Sequence, residues 1–455
     1  MEQNAKNVIE NALMDKYTQL AQECSAIDQE LYKHYDVKRG LRDLNGKGVL
    51  VGLTNIGEVL ATRMENGESV PAPGRLYYRG MEITEIVDGY LADGRFGFEE
   101  TCYLLLFGRL PTRQELIDFE GLLHQYQTLP DHFVRDMIMS APSRDMMNVM
   151  ARSVLELYSY DETAEDTSVP AALRQCLKLL ACLPALAVYG YQAFSHYHSN
   201  NSLYIHPPRN DLSMAENILH MLRPDSAYTA LEARLLDMAL VLHAEHGGGN
   251  NSTFVAHVVS STGTDTYSVI AAALGSLKGP KHGGANIKVV QMFEDMKNTL
   301  RDWEDDDEVE GYLNRLLNKE AFDRAGLIYG LGHAVYSISD PRAVIFKEQV
   351  RALAQEKGLE REFRLYDRVE RLAPQVIAKV RRIYKGVSIN VDFYSGFVYA
   401  MLGIPQEMFT PIFAISRMSG WAAHHIEEII GGGKIIRPAY KAVCPEQHYV
   451  PLDKR

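Results

Sequence analysis

The sequence predicts an all-α protein, with a large helical domain, a smaller helical lobe, and a minor β-hairpin near the N-terminus. Three observations carry that reading. Apolar residues recur at helical spacing through most of the 455 residues. Several of those segments end at a glycine, the residue that most readily adopts the left-handed helix cap. Strand-like patterning is confined to "KGVLVGLTNIGEVLATRMENG" (47–67) and "GRLYYRGMEI" (74–83), which together predict the hairpin.

Taken in chain order, "FEETCYLLLFGRLPTRQELIDFEGLL" (98–123) reads as a helix, a Gly-Arg-Leu-Pro break and a second helix. Thr112 and Glu115 have the spacing of a capping box for that second start. "LLACLPALAVYGYQAF" (179–194) is the most apolar stretch, but it is short for a membrane span and carries Pro184, so it reads as a buried helix. "LEARLLDMALVLHAEH" (231–246), "DTYSVIAAALGSLKG" (265–279), "EREFRLYDRVERLAPQVIAKVRRIYKG" (360–386) and "TPIFAISRMSGWAAHHIEEIIGGG" (410–433) are further helices. The acidic run "WEDDDEVEG" (303–311) reads as a solvated helix start without a functional role. Junctions after "GPKHGGAN" and near "NVDFYSG" divide the chain into a first part of the large domain (1–287), a small helical domain (288–395) and a return to the large domain (396–455).

Composition narrows the function. The net charge is −12, from 47 basic and 59 acidic residues, and no long basic run appears, which disfavours nucleic acid and anionic membranes as partners. The five cysteines (Cys24, Cys102, Cys176, Cys182, Cys444) are odd in number and form no CxxC pair, so free thiols in a reducing cytoplasm are expected. The N-terminus has no apolar core of the kind a secretory signal needs.

Five short stretches concentrate chemistry: "HAEHGGGNNST" (243–253), "GPKHGGAN" (279–286), "GLGHAVYSISDPR" (330–342), "NVDFYSG" (390–396), and "SR" at 416–417 followed 20 residues later by "RP". Each has an ordinary reading. His243 and His246 stand three apart without a third ligand, a poor metal pair. His424 and His425 with Glu427 and Glu428 read as a polar helix face. Asp392 could cap the following helix. The arginines could be ordinary ion-pair partners.

The set as a whole, in this order, resembles the citrate synthase family, from "YYRGMEI" to Arg437. The resemblance implies a Si-type, dimeric, bacterial-like enzyme that condenses acetyl-CoA with oxaloacetate and hydrolyses citryl-CoA, with its active site in the cleft between the domains. It implies Asp392 as the base at the acetyl methyl, His282 as donor to the thioester oxygen, and His333 as the group that polarises the oxaloacetate ketone. His246, Arg342, Arg417 and Arg437 match positions that hold oxaloacetate, Arg437 reaching in from the other subunit of a homodimer. The backbone of Gly330, Leu331 and Gly332 matches the coenzyme A cradle. No metal and no tightly bound cofactor is implied, acetyl-CoA being a co-substrate.

Physical chemistry supports that division of labour. A carboxylate alone is too weak a base for a thioester C–H, so a preorganised donor must stabilise the oxyanion as it forms. A dianionic substrate needs cations in fixed positions. Ala334 and Ser337 stand where many bacterial relatives carry cations for the coenzyme A phosphates, and Lys281 and Lys347 are the substitutes at hand. Two alternatives stay open: 2-methylcitrate synthase, which uses propionyl-CoA and shares the motifs, and a non-catalytic helical scaffold.

Overall fold

The computed structural model describes residues 2–43, 47–65, 67–333, 335–381 and 386–455, with only the backbone at 2–9 and 69. Two compact units result, Met1–Leu53 and Thr54–Arg455. The first holds the helices Glu2–Ser25 and Gln29–His34 and a short turn at Arg39–Leu41. Sequence reading put these residues in the large domain. They form a unit of their own, and residues 10–43 bury no side chain: Leu13, Met14, Tyr17 and Leu20 of the first helix are exposed.

The second unit is helical apart from three antiparallel strands in the order β1 (Gly57–Glu65), β2 (Glu68–Tyr78) and β3 (Met81–Glu82). The register pairs Gly57 with Tyr78 and Glu65 with Glu68, slipping between Leu60 and Thr62. β2 is longer than expected and starts before Gly74. Pro71 and Pro73 are tolerated because β3 pairs only with Tyr77 and Tyr78, so β2 is an edge at the prolines. Residues 49–53 are not strand: Val49, Leu50, Val51 and Leu53 are exposed.

Local chemistry sets the helix ends. Thr112 and Glu115 form the expected capping box on Arg113–Tyr126, and Ser213–Glu216 and Thr229–Glu232 form two more. The apolar stretch around Pro184 belongs to a longer helix, Val169–Ser199, of 31 residues. By length and composition it could cross a membrane, yet 83% of its most apolar window is buried inside the protein. It packs against Arg113–Tyr126, Met146–Leu157 and Phe409–Gly431, which makes it the central rod of the core. Among the five cysteines, Cys102, Cys176 and Cys182 are buried and Cys24 and Cys444 exposed, all as free thiols.

A second group of helices packs together: Ala285–Thr299 on Val391–Met401, Asp306–Leu317 on Glu360–Arg381, and Pro341–Glu356 on both Glu360–Arg381 and Val391–Met401. The acidic run at 303–311 opens one of them, where Asp306 bonds Arg368 and Arg371.

Candidate active site

The site begins at the helix Ala230–His243, which stops just before the glycines of "HAEHGGGNN". The Tyr78 hydroxyl, at the end of β2, donates to the Val241 carbonyl at 3.0 Å and lies 3.1 Å from the Glu245 carbonyl, fixing this break. His246 sits there with Nε2 buried and without a hydrogen-bond partner. Burial first, then the Arg342 and Arg417 charges and the His333 ring, hold its imidazole well below the ordinary histidine range, so it is neutral. His243 is fully buried, and both its ring nitrogens lack partners. Its ring packs on Phe413 with centroids 4.6 Å apart.

Arg417 comes from the middle of Phe409–Gly431. That helix approaches the 244–245 segment closely because residue 420 is glycine: a Cβ there would lie 2.5 Å from the Ala244 carbonyl oxygen. Arg417 is fully buried; its Nε donates to the His243 carbonyl at 2.7 Å, and its guanidinium lies 4.8 Å over the Phe413 ring. Both Nη1 and Nη2 lack partners. Burial lowers its pKa to about 10, which still leaves a cation at neutral pH. An unpaired buried guanidinium costs several kcal/mol on the usual scale. An anion held by both Nη atoms offsets that cost.

Arg342 is also buried, but its fork is in use: Nε donates to Asp340 Oδ1 at 3.0 Å and Nη2 to Oδ2 at 2.7 Å. Burial works against the cation, yet the Asp340 carboxylate holds Arg342 above its ordinary value. Asp340 also caps the helix Pro341–Glu356 through the Arg342 amide and accepts from the Val391 amide at 3.2 Å. The structure makes it the joint between the "DPR" and "NVD" segments.

Those segments meet again at an isolated bridge, Leu331 to Ile389. The Gly332 amide donates to the Ser388 carbonyl at 2.8 Å, the Asn390 amide to the Gly330 carbonyl at 2.9 Å, and Asn390 Nδ2 to the Gly332 carbonyl at 3.0 Å. Gly330 has φ +80°, and a Cβ there would lie 2.8 Å from the Phe393 ring, so both conformation and space require glycine. Much of the 330–332 backbone is thus spent on holding 388–390.

From this clamp project His333 and Asp392. His333 Nδ1 accepts from the amides of Val335 and Tyr336 at 3.0 and 3.1 Å, so the ring proton stands on Nε2. Its ring lies 5.1 Å from that of His246 and stacks on Tyr336 at 4.6 Å. Asp392 is the second residue of Val391–Met401, and the cap is Asn390, whose side chain accepts from the Asp392 amide. The Asp392 carboxyl is therefore not needed as a cap. Burial raises its pKa to about 6 against the opposing pull of Arg342 and Arg417, which makes it a stronger base than an ordinary carboxylate and still ionised at neutral pH.

His282 lies in the turn before Ala285–Thr299. The Ser252 amide donates to its Nε2 at 3.2 Å, and the Ser252 hydroxyl stands 3.0 Å from the same atom. An Nε2 that accepts leaves the ring proton on Nδ1, available for donation. Burial, then the Arg417 charge, lowers its pKa to about 4, so a neutral imidazole is the donor. Trp421 Nε1 donates to the Ser252 hydroxyl at 3.1 Å and holds it in place. Ser252, Trp421, Asn390 and Asp340 were not singled out from sequence, although three of them lie inside the quoted motifs.

Seven groups lie within electrostatic reach of one another: the Arg417 charge acts on His243, His246, His282 and Asp392, the Arg342 charge on three of these, and His333 on His246. Arg437 is not among them. It is exposed, beyond the last residue of Phe409–Gly431. Lys347 is bound by Asp367 at 2.6 Å and Glu370 at 2.9 Å, so it is not open to a phosphate, while Lys281 is exposed. Ala334 lies outside the described residues. His424 and His425 are buried, not on a polar face; His425 is bonded by Ser260 and Thr266 at 2.7 and 3.2 Å.

A buried, unpaired guanidinium beside neutral imidazoles and a raised carboxyl can bind a small polyanion and remove a proton from carbon next to it. Comparison with known proteins points the same way. The family model described as citrate synthase, C-terminal domain, matches residues 43–439. A citrate synthase of Synechocystis sp. is 34% identical over 391 residues, 84% of this chain and 88% of the relative. A 2-methylcitrate synthase of Shewanella oneidensis is 32% identical over 382 residues, 84% of this chain and 92% of the relative. The structure of a ternary complex of carboxymethyl coenzyme A and oxaloacetate with citrate synthase from Thermoplasma acidophilum superposes with TM-score 0.74 at 28% identity, covering 92% of this chain and 99% of that one. With a match that runs through nearly the whole chain, the protein belongs to the citrate synthase family.

Proposed function

We propose that this condensing enzyme joins acetyl-CoA to oxaloacetate and releases citrate and coenzyme A. The observation that carries the reading is Arg417, whose two terminal nitrogens are buried and unpaired between His246, Arg342 and Asp392. One oxaloacetate carboxylate is assigned to Arg417, the other to Arg342 and to Arg437 of a second subunit. Asp392 removes a methyl proton while Nδ1–H of His282 bonds the thioester oxygen. The enol carbon attacks the oxaloacetate ketone, and Nε2–H of His333 polarises that ketone and protonates the new alkoxide. Water then cleaves the citryl thioester, releasing coenzyme A. Neither step needs a metal or a tightly bound cofactor. The complex of the Thermoplasma relative with oxaloacetate and a coenzyme A derivative supports the substrate pair.

The reading includes a homodimer with shared sites, in the cytoplasm. It also includes a small lobe (288–395) that closes on the large domain, because His333 and Arg342 come from one segment group and His246 and Arg417 from the other. The kinship with 2-methylcitrate synthases supports a second reading, propionyl-CoA as the acyl donor. One added methylene is worth about 1–3 kcal/mol of discrimination. Thiol release from acetyl-CoA and propionyl-CoA, each with and without oxaloacetate, tests both. Oxaloacetate-dependent release that favours acetyl-CoA supports the first reading, and preference for propionyl-CoA supports the second. No oxaloacetate dependence with either thioester refutes the assignment.

A further inference from the structure

We propose that His257, His424 and Glu427 form a binding site for a divalent transition metal of the zinc class, separate from the acid–base groups. The three ligand atoms come from two helices, Asn251–Ser260 and Phe409–Gly431, and all lie within 4.8 Å of one another. His257 Nε2 is 3.0 Å from His424 Nδ1, and Glu427 Oε2 is 3.8 Å from the same nitrogen. Ligands each about 2.0–2.2 Å from a tetrahedral zinc stand about 3.3–3.6 Å apart, so the ion would part the two imidazoles slightly and draw the Glu427 carboxylate inward.

The surroundings are those of a ligand set. The other ring nitrogen of His257 meets Glu428 Oε2 at 2.7 Å, and that of His424 meets Glu245 Oε1 at 3.1 Å. The Glu428 carboxylate fixes the His257 tautomer and aims the opposite nitrogen at the ion, while Glu245 stands behind His424 as a charge without a hydrogen bond to it. The Asn55 amide holds Glu427 Oε1 at 2.8 Å, while Glu427 Oε2 is buried without a hydrogen-bond partner. Residue 248 is glycine, and a Cβ there would stand 3.4 Å from His424 Cε1 and 3.6 Å from His257 Nε2, so the wall is left bare.

Charge argues in the same direction. Glu245, Glu427 and Glu428 converge on two imidazoles; of the cations nearby, Arg79 has Nε and Nη2 on the Leu105 carbonyl, and Arg417 acts on Glu245, so neither is ion-paired to Glu427 or Glu428. A divalent ion relieves that excess of negative charge. His424 is sealed, but His257, Glu427 and Glu428 keep side-chain exposures of 14%, 20% and 17%, which gives the ion a way in. The bound ion would staple the two helices beside the glycine run that carries His246. Three protein ligands leave a position for water, and no part in the condensation is assigned to it.

The test uses the full-length enzyme, stripped with chelator and then titrated with Co²⁺, with oxaloacetate present to occupy the other histidine-rich pocket. The expected result is one Co²⁺ per chain with visible d–d bands, displaced by stoichiometric Zn²⁺. His257→Asn and Glu427→Gln should weaken binding by about a hundredfold, and Glu428→Gln by about tenfold. X-ray absorption of the zinc-loaded wild type should show two imidazoles in the first coordination sphere, a reading that depends on no variant. Absence of stoichiometric uptake by the wild type overturns the proposal. So does wild-type affinity in a folded His257→Asn protein, or a spectrum without imidazole.

Discussion

Replacing Asp392 with Asn should inactivate the enzyme and stabilise it at the same time. The carboxyl goes from an ordinary 3.8 to about 6 because burial disfavours its charge. At about 1.4 kcal/mol per pH unit, ionising it in the folded protein costs about 3 kcal/mol. The sign follows from the raised value. Below pH 3.8 the group is protonated in both states and costs nothing. Between 3.8 and 6 the unfolded chain ionises first, so stability falls as pH rises. Above 6 the penalty is complete. Asp392→Asn should therefore melt higher than wild type by about 3 °C at pH 7.5, since a chain of this size loses roughly 1 kcal/mol per degree near its midpoint. About half of that advantage should remain at pH 5. Turnover should fall by at least about a hundredfold. In the wild type, kcat/KM should fall on the acid side with a midpoint near 6, to about a tenth of its plateau at pH 5. His282 cannot produce that limb, because its own value is about 4. Scanning calorimetry of the ligand-free proteins from pH 5 to 7.5, beside steady-state thiol release, makes both measurements. An acid limb centred near 4, or a variant less stable than wild type at pH 7.5, refutes the argument that burial tunes this base.

Four further outcomes are expected. Arg417→Leu should weaken oxaloacetate binding by at least a hundredfold in calorimetry; Arg342→Leu should destabilise by about 3–5 kcal/mol, because it strands Asp340. Asp392→Asn chains co-assembled with Arg437→Ala chains should recover about a quarter of wild-type activity if Arg437 serves the neighbouring subunit, and none if it serves its own. Chelation should leave initial turnover within about twofold at 25 °C while lowering the melting temperature, and a complete, metal-reversible loss of turnover would place the ion in the chemistry.

Helix starts and stops were legible because they are local: Thr112 and Glu115, or Gly432 with φ +58° at the end of Phe409–Gly431, need only their neighbours. The helix through Pro184 reads as 179–194 because only its most apolar stretch stands out, and packing on both sides carries it to Val169–Ser199. The candidate site residues were legible as motifs, but their coupling was not. Asp340 reads as a turn residue until Val391 is seen to donate to it. Ser252 reads as an ordinary helix-start serine until its amide is found on His282. His424 and Glu427 look like a solvated face because sequence does not reveal that His257, 167 residues earlier, lies against them. Each missed relation joins segments far apart in the chain, where periodicity and capping carry no information.

The bridge between Leu331 and Ile389 has a bearing on how such an enzyme can be altered. His333 lies two residues past one side of it and Asp392 three past the other, so the proposed proton donor and proton acceptor ride on one small truss. Their spacing should be set inside the truss and should not change if the lobe closes. Changes at the arginines or at the outer helices would shift the anchor points for the substrate and leave the reacting pair in step. A one-residue deletion in either arm would do the reverse, preserving affinity for the anion while throwing acid and base out of phase.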